Sequence, residues 1–238
     1  MKKLTLASFT IVAALACQHA VAQSKFEGLS FSAGLGMAGA STTLSGSAIS
    51  NEQPASGTID FGKTSAVAVL DLGYGLRMNP DVVLGLGATY DIGNTKSGSI
   101  FVNSMGQSGD LIKLVGKRHF SIYAQPTWLL TPDTGVFVKL GYHRMHRSQE
   151  GLFAGDLLDA GVSTSMNLSG VGYGLGVKTY ITKNVFLQAE ANTVSYSSKD
   201  LTSALSPLLA GSLQPGDSAS AAAKLKTTTG IVSIGMNF

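Results

Sequence analysis

Residues 229–238 read TGIVSIGMNF, and the alternation in this stretch holds to its last residue. In an extended chain Phe238, Met236, Ile234 and Val232 share one face, and Asn237, Gly235, Ser233 and Ile231 share the other. Successive strand side chains point to opposite faces, so one face here is oily and the other mostly small or polar. Chain ends fray unless a sheet holds them. The pattern therefore predicts a strand paired on both edges, with its oily face buried.

The same alternation recurs upstream. Ala66, Ala68, Leu70, Leu72, Tyr74 and Leu76 oppose Ser65, Asp71, Gly73, Gly75 and Arg77. Val82, Leu84, Leu86, Ala88, Tyr90 and Ile92 oppose Val83, Gly85, Gly87, Thr89 and Asp91, and Val171, Tyr173, Leu175 and Val177 oppose Gly172, Gly174, Gly176 and Lys178. Charge and glycine fall on one side, oil on the other. Turn signals at MNPD (78–81), TPDTG (131–135) and TKN (182–184) fix the tight connections, because Asn, Pro, Asp and Gly suit turn backbone. With markers at 25, 80, 132, 183 and 238 the chain divides into four near-equal units, each an alternating segment, a Gly/Ser-rich stretch and a second alternating segment. Eight strands follow, near 26–38, 64–78, 82–95, 113–129, 136–147, 168–181, 185–198 and 225–238. Short turns lie at one end and long loops, about 39–62, 96–112, 148–167 and 199–224, at the other.

Composition narrows the surroundings. Hydrophobic residues make up 44% and charged residues 13%, against roughly 25% charged in a soluble domain. Glycine, 29 of 238, is also above its usual share of roughly 7%. The first residues, MKKLTLASFTIVAALACQHAVAQ, combine Lys2 and Lys3, an apolar run from Leu4 to Ala16 and the small-residue site Ala20-Val21-Ala22. This predicts a secretory signal over residues 1–22, cleaved after Ala22, whose apolar run is too short to span a bilayer. Lipid attachment at Cys17 is the competing reading. Cleavage removes the only Cys, so no disulfide is expected in residues 23–238, and it removes two of the 17 basic residues, leaving 15 against 14 acidic. So balanced a charge argues against a nucleic-acid partner.

A soluble sandwich alternates too, but hides its oil and shows its charge. A secretory signal, short turns strictly alternating with long loops, an even strand number and an aromatic last residue match membrane barrels instead. In lipid every backbone polar group must be paired, so a sheet can span only if it closes. The predicted fold is all-β, an eight-stranded antiparallel up-and-down transmembrane β-barrel over residues 23–238.

At this point the residues resemble a family. The chain is similar to the eight-stranded outer-membrane barrels of the opacity-protein and outer-membrane-protein-A type, and GIVSIGMNF resembles the C-terminal signal read by the barrel-assembly machinery. In that family a terminal aromatic follows hydrophobics at every second position, which Val232, Ile234, Met236 and Phe238 supply. The resemblance implies the bacterial outer membrane, with its lipids and lipopolysaccharide as partners.

Several candidate sites follow. Tyr90, Phe120, Tyr142 and Tyr173 on the lipid-facing parity, with Trp128 and Phe238 near the turns, are candidate interface aromatics. Asp71, Lys139, Lys178 and Glu190 are expected to pair inside the barrel, since a lone charge in so narrow a space is costly. Folding about Lys183 sets Lys178 opposite Gln188 and diagonal to Glu190. The basic cluster Arg144, His146 and Arg147 in YHRMHRSQE (142–150) is a candidate contact for lipopolysaccharide phosphates. Its His146, Ser148 and Glu150 also outline a nucleophile, base and acid, similar to the His-x-Ser of outer-membrane lipid A deacylases. That family has Asn after the Ser, where this chain has Gln149, and the expectation is no enzyme. Glycine pairs such as GLGMAG (34–39) open no helix in a βαβ unit, so no phosphate loop is expected. No Cys/His cluster has metal-ligand spacing, so neither metal nor cofactor is implied. Apolar runs at 151–161 and 201–213 lie in the loops, which would host any host or surface ligand. Eight strands leave room only for side chains, which favours a structural or adhesive surface protein over a narrow porin-like channel.

Overall fold

The computed structural model describes residues 24–50, 53–104, 107–150, 163–200 and 218–238. Ten strands form one antiparallel sheet: β1 Gly28–Ser50, β2 Gln53–Asn79, β3 Val82–Ile92, β4 Asn94–Ser104, β5 Gln107–Leu129, β6 Thr134–Glu150, β7 Ser163–Tyr180, β8 Val185–Tyr196, β9 Lys199–Asp200 and β10 Ser218–Asn237. β3 and β4 are one stave broken at Gly93, and β9 prolongs the stave of β8, so the wall has eight staves. Pairing of β1 with β10, from Ser30↔Asn237 to Ile49↔Ser218, closes the barrel.

The terminal strand sits as its alternation demands. β10 pairs with β8 from Lys226↔Ser195 to Met236↔Val185 and with β1 on its other edge, and the Phe238 amide donates to the Leu29 carbonyl at 2.8 Å. No strand edge is left there, and Val232, Ile234, Met236 and Phe238 all face outward, exposed. The same holds around the wall. Leu35, Val171 and Leu175 are each about 70% exposed, where a water-soluble protein would bury such residues.

The loop end differs from expectation. The stretches 39–62 and 96–112, read as loops, are mostly ladder: β1–β2 continues to Ser50↔Gln53, and β4–β5 to Ser104↔Gln107. Ser, Thr, Gly and Ala dominate the first of these, and its few large apolar residues, Leu44, Ile49, Ile59 and Phe61, are too scattered to reveal a strand by alternation, so backbone pairing carries the hairpin. Of the other expected loops, 148–150, 163–167, 199–200 and 218–224 are strand as well, and both apolar runs, 151–161 and 201–213, lie outside the described residues.

Inside, the barrel is filled in layers. At the turn end Phe26, Val83, Tyr180 and Phe186 form an aromatic floor, with Phe26 edge-on to Tyr180 at 4.8 Å between ring centroids. The segment before β1 is strapped across this floor by Lys25 to Asp133, Arg77 to Glu27 at 3.3 Å, and the Asn237 amide to the Glu27 carbonyl. At the far end Ala40, Met145, Leu168, Val194, Tyr196 and Leu225 form an apolar layer. Between them the interior is mostly polar, with an apolar patch of Ala38, Val67, Val69 and Ile231 on the β1, β2 and β10 side.

Candidate functional site

The polar interior has two layers. The lower one centres on Lys139 of β6, whose side chain is 8% exposed. Its Nζ lies 3.2 Å from Glu190 Oε2 on β8, 3.4 Å from Asp71 Oδ2 on β2 and 4.1 Å from the centre of the Tyr123 ring. Tyr123 Oη donates to Asp71 Oδ1 at 2.7 Å, and Glu190 accepts from Gln188 Nε2 at 3.0 Å and Asn192 Nδ2 at 2.9 Å. Each carboxylate is therefore held by the ammonium and by a neutral donor, which a buried charge requires. Glycines make the room: a Cβ on Gly87 would collide with the Tyr123 phenol.

Of the four charges expected to pair, the structure brings three together. Lys178 departs from the expectation. It sits opposite Gln188, as the turn register requires, but its Nζ lies 4.3 Å from the centre of the Phe186 ring instead of on a carboxylate. The reason is competition: both Glu190 oxygens are already occupied by Lys139, Gln188 and Asn192.

The upper layer was not read from the sequence. His119 Nδ1 on β5 lies 2.6 Å from Asp91 Oδ2 on β3, and His119 Nε2 lies 3.1 Å from His143 Nδ1 on β6. The two imidazoles are within 6° of parallel. Beside them the Thr89 and Ser121 hydroxyls bond each other. His143 needs glycine around it: a Cβ on Gly141 would stand 2.9 Å from its Nε2, and one on Gly172 would be closer still. A cavity of about 40 Å³ between the layers touches Asp91, His119, His143, Lys139 and Glu190. That is room for about three waters. Parity offered the missed signal, because Asp91, His119 and His143 all fall on inward positions at similar heights above the turns.

The remaining candidates lie outside. Tyr90, Phe120, Trp128, Tyr142, Tyr173 and Phe238 are all exposed on the outer face. Trp128 and Phe120 are eight residues apart in β5, about 27 Å along the strand and about 21 Å in height at a tilt of ~40°. Arg144 is exposed just above, in register with Phe120, and Arg118 is exposed beside it. Half-buried His146 has its Nδ1 3.1 Å from Asn167 Oδ1 on β7. Position 147 follows on the opposite parity from 144 and 146, so the backbone does not align the three expected contacts on one face. The side chains of Arg147, Ser148 and Glu150 lie outside the described residues. Among the described residues no group of three or more His, Cys, Asp or Glu could hold a metal ion.

A closed antiparallel barrel of eight staves, oily outside and filled with paired polar groups inside, defines a β-barrel of the membrane-spanning class. Residues 8–238 match the family described as outer membrane protein beta-barrel domain, and the chain belongs to that family, which is that of the bacterial outer membrane. No curated protein matches the sequence. Among solved structures, it is similar to Ail, the attachment invasion locus protein of Yersinia pestis, at 17% identity and TM-score 0.43, covering 89% of this chain and 99% of that one. It is also similar to OprG of Pseudomonas aeruginosa, at 12% and 0.47, covering 91% and 99%. The outer membrane protease OmpT of Escherichia coli gives 9% and 0.45, covering 88% and 97%.

Proposed function

We propose that this barrel is a surface protein with a structural, adhesive or antigenic role, and not a conduit. The observation that carries the reading is the filled lumen: an aromatic floor, then Lys139 between two carboxylates, then the histidine layer. Above the aromatic belt the β1–β2 ladder rises thirteen residues further, from Met37↔Ala66 to Ser50↔Gln53, about 44 Å of strand. That is wall to display, not pore to conduct. Arg144 and His146, with Arg118 added, meet lipopolysaccharide phosphates above the belt, and Tyr90, Phe120, Tyr142 and Tyr173 meet the outer headgroups while Trp128 and Phe238 meet the inner ones. No reaction is assigned to it. The signal is cleaved after Ala22, and Val232, Ile234, Met236 and Phe238 address the chain to the assembly machinery.

The test is conductance in a planar bilayer, together with binding of cells and lipopolysaccharide by a variant lacking residues 41–63. Rare, small openings and a loss of binding on deletion are expected. Steady large openings favour the second reading, a narrow channel, for which the small cavity between the layers is the one supporting feature. Deleting Phe238 should abolish outer-membrane assembly in cells while leaving a barrel refolded in detergent closed; normal membrane levels of the deletion variant refute the assembly role.

A further inference from the structure

The wall is interrupted on two neighbouring staves at one height. On β3 the ladder to β5 ends at Tyr90↔Phe120 and resumes, with β4, at Asn94↔Lys117. Gly93 lies in the gap with φ +112°, a backbone that L side chains rarely adopt. Opposite it, Arg118 has φ +53°, and residues 118–119 bulge against the single residue Met145 between Lys117↔His146 and Phe120↔Arg144. A non-glycine residue in that region costs about 1–2 kcal/mol, so something local holds it there.

Above these two points the β4–β5 hairpin leaves the plane of the wall. The β2–β3 ladder stops at Ala68↔Ile92, and β4 pairs only with β5, yet it comes near both β2 and β1. A strand in the plane beside β2 would be about 9.6 Å from β1, two strand spacings away. The hairpin leans across β2 on a hinge made by Gly93 and Arg118.

The Asp91–His119–His143 chain sits on that hinge. Asp91 is two residues before Gly93 and His119 is the second bulge residue, so their 2.6 Å bond ties the two hinge strands together. The 3.1 Å bond from His119 to His143 ties them to β6, which has no break there. We propose that this chain is a clasp that acid releases, freeing the β4–β5 hairpin to change its lean.

The chemistry is a count of protons on two nitrogens. With both rings neutral, His119 Nδ1–H donates to Asp91 and His143 Nδ1–H donates to His119 Nε2. One added proton is still accommodated, because His119 can donate from both nitrogens, to Asp91 and to His143 Nδ1. A second places N–H against N–H and leaves two cations 3.1 Å apart at the nitrogens. The charges facing the pair set how readily that happens. Asp91 on β3 and Glu190 on β8 favour protonation and Lys139 on β6 opposes it; Asp71 on β2 and Lys178 on β7 act from further below. Tyr123 on β5 and Tyr196 on β8 remain neutral, while β1 and β10 present Ala38, Thr227, Thr229 and Ile231 to the cavity. The clasp opens when the second imidazole charges, at a pH below that at which the first does.

Spin labels at Ser108→Cys on β5 and Ser45→Cys on β1 of the folded barrel in lipid nanodiscs report the lean. ¹⁵N NMR reports the imidazole charges, both followed in steps from about pH 7.5 to the lowest pH at which the barrel stays folded. The inter-label distance should shift as the second imidazole charges. Asp91→Asn should move the midpoint to lower pH, because it removes the carboxylate that favours imidazolium. His143→Gln and His119→Gln should each abolish the shift, their folding checked by heat-modifiable gel mobility. Three results overturn the proposal: no distance change once both rings are charged, rings that never both charge, or the same shift and midpoint in whichever glutamine variant folds.

Discussion

The two polar layers of the lumen share β5 and β6, where they lie four residues apart, yet they are built to opposite standards. Around Lys139 each carboxylate has at least one partner besides the ammonium, and removing any one contact leaves others in place. Around His119 three groups hang on two bonds in series. The first is redundant and the second is a chain, so the first should carry stability and the second should yield first.

The largest effect should come from Lys139→Met. It leaves Asp71 and Glu190 charged, buried and facing each other, which for a broken buried pair costs about 3–5 kcal/mol. Urea unfolding of the barrel in lipid vesicles measures it. Adding Asp71→Asn and Glu190→Gln to the same chain should recover much of the loss, since no lone charge then remains. If Lys139→Met unfolds no more readily than wild type, the lower layer is not the keystone.

Gly87→Val should come next, at about 1–3 kcal/mol. Its side chain would collide with the Tyr123 phenol and push it off Asp71. A Cβ there would also stand 2.5 Å from the Tyr123 ring carbon and 2.6 Å from the Leu72 carbonyl, so Tyr123→Phe in the same chain, which removes only the hydroxyl, should recover little of the penalty. Smaller again, His143→Gln removes one bond of the chain and should cost about 1 kcal/mol. A loss as large as that of Lys139→Met would erase the difference between the layers.

The lower layer and most of the fold were legible in the sequence because alternation gives the face and tight turns give the height. Counting up from TKN fixes Lys178 opposite Gln188, and counting from TPDTG sets Lys139 near Glu190. The upper layer carried the same two signals, but His143 stood in a run whose other basic residues drew the reading to Arg144, His146 and Arg147. What no count from the turns could supply is the bulge at Arg118, which shifts the register of everything above it. Nor could it supply the hairpins, since a stretch such as SGSAISNEQPASG looks the same as ladder or as loop until the backbone pairs.

Lys178 is the sharpest test of how far such counting reaches. Height and parity both placed it within reach of Glu190, and a paired ammonium there would cost as much to remove as Lys139. The contacts say otherwise: its Nζ rests on the Phe186 ring while Glu190 is filled from three other donors. A cation over an aromatic face contributes about 0.5–2 kcal/mol, and that gain is opposed by the cost of keeping a charge this far from water. Methionine fits along the same path and brings a sulfur to the ring, worth about 0.3–1.5 kcal/mol. Lys178→Met should therefore change stability by no more than about 1 kcal/mol, in either direction, in the urea experiment used for Lys139. A loss of 3 kcal/mol or more would mean that Lys178 does neutralise the carboxylates, and that the two lysines share one charge layer after all.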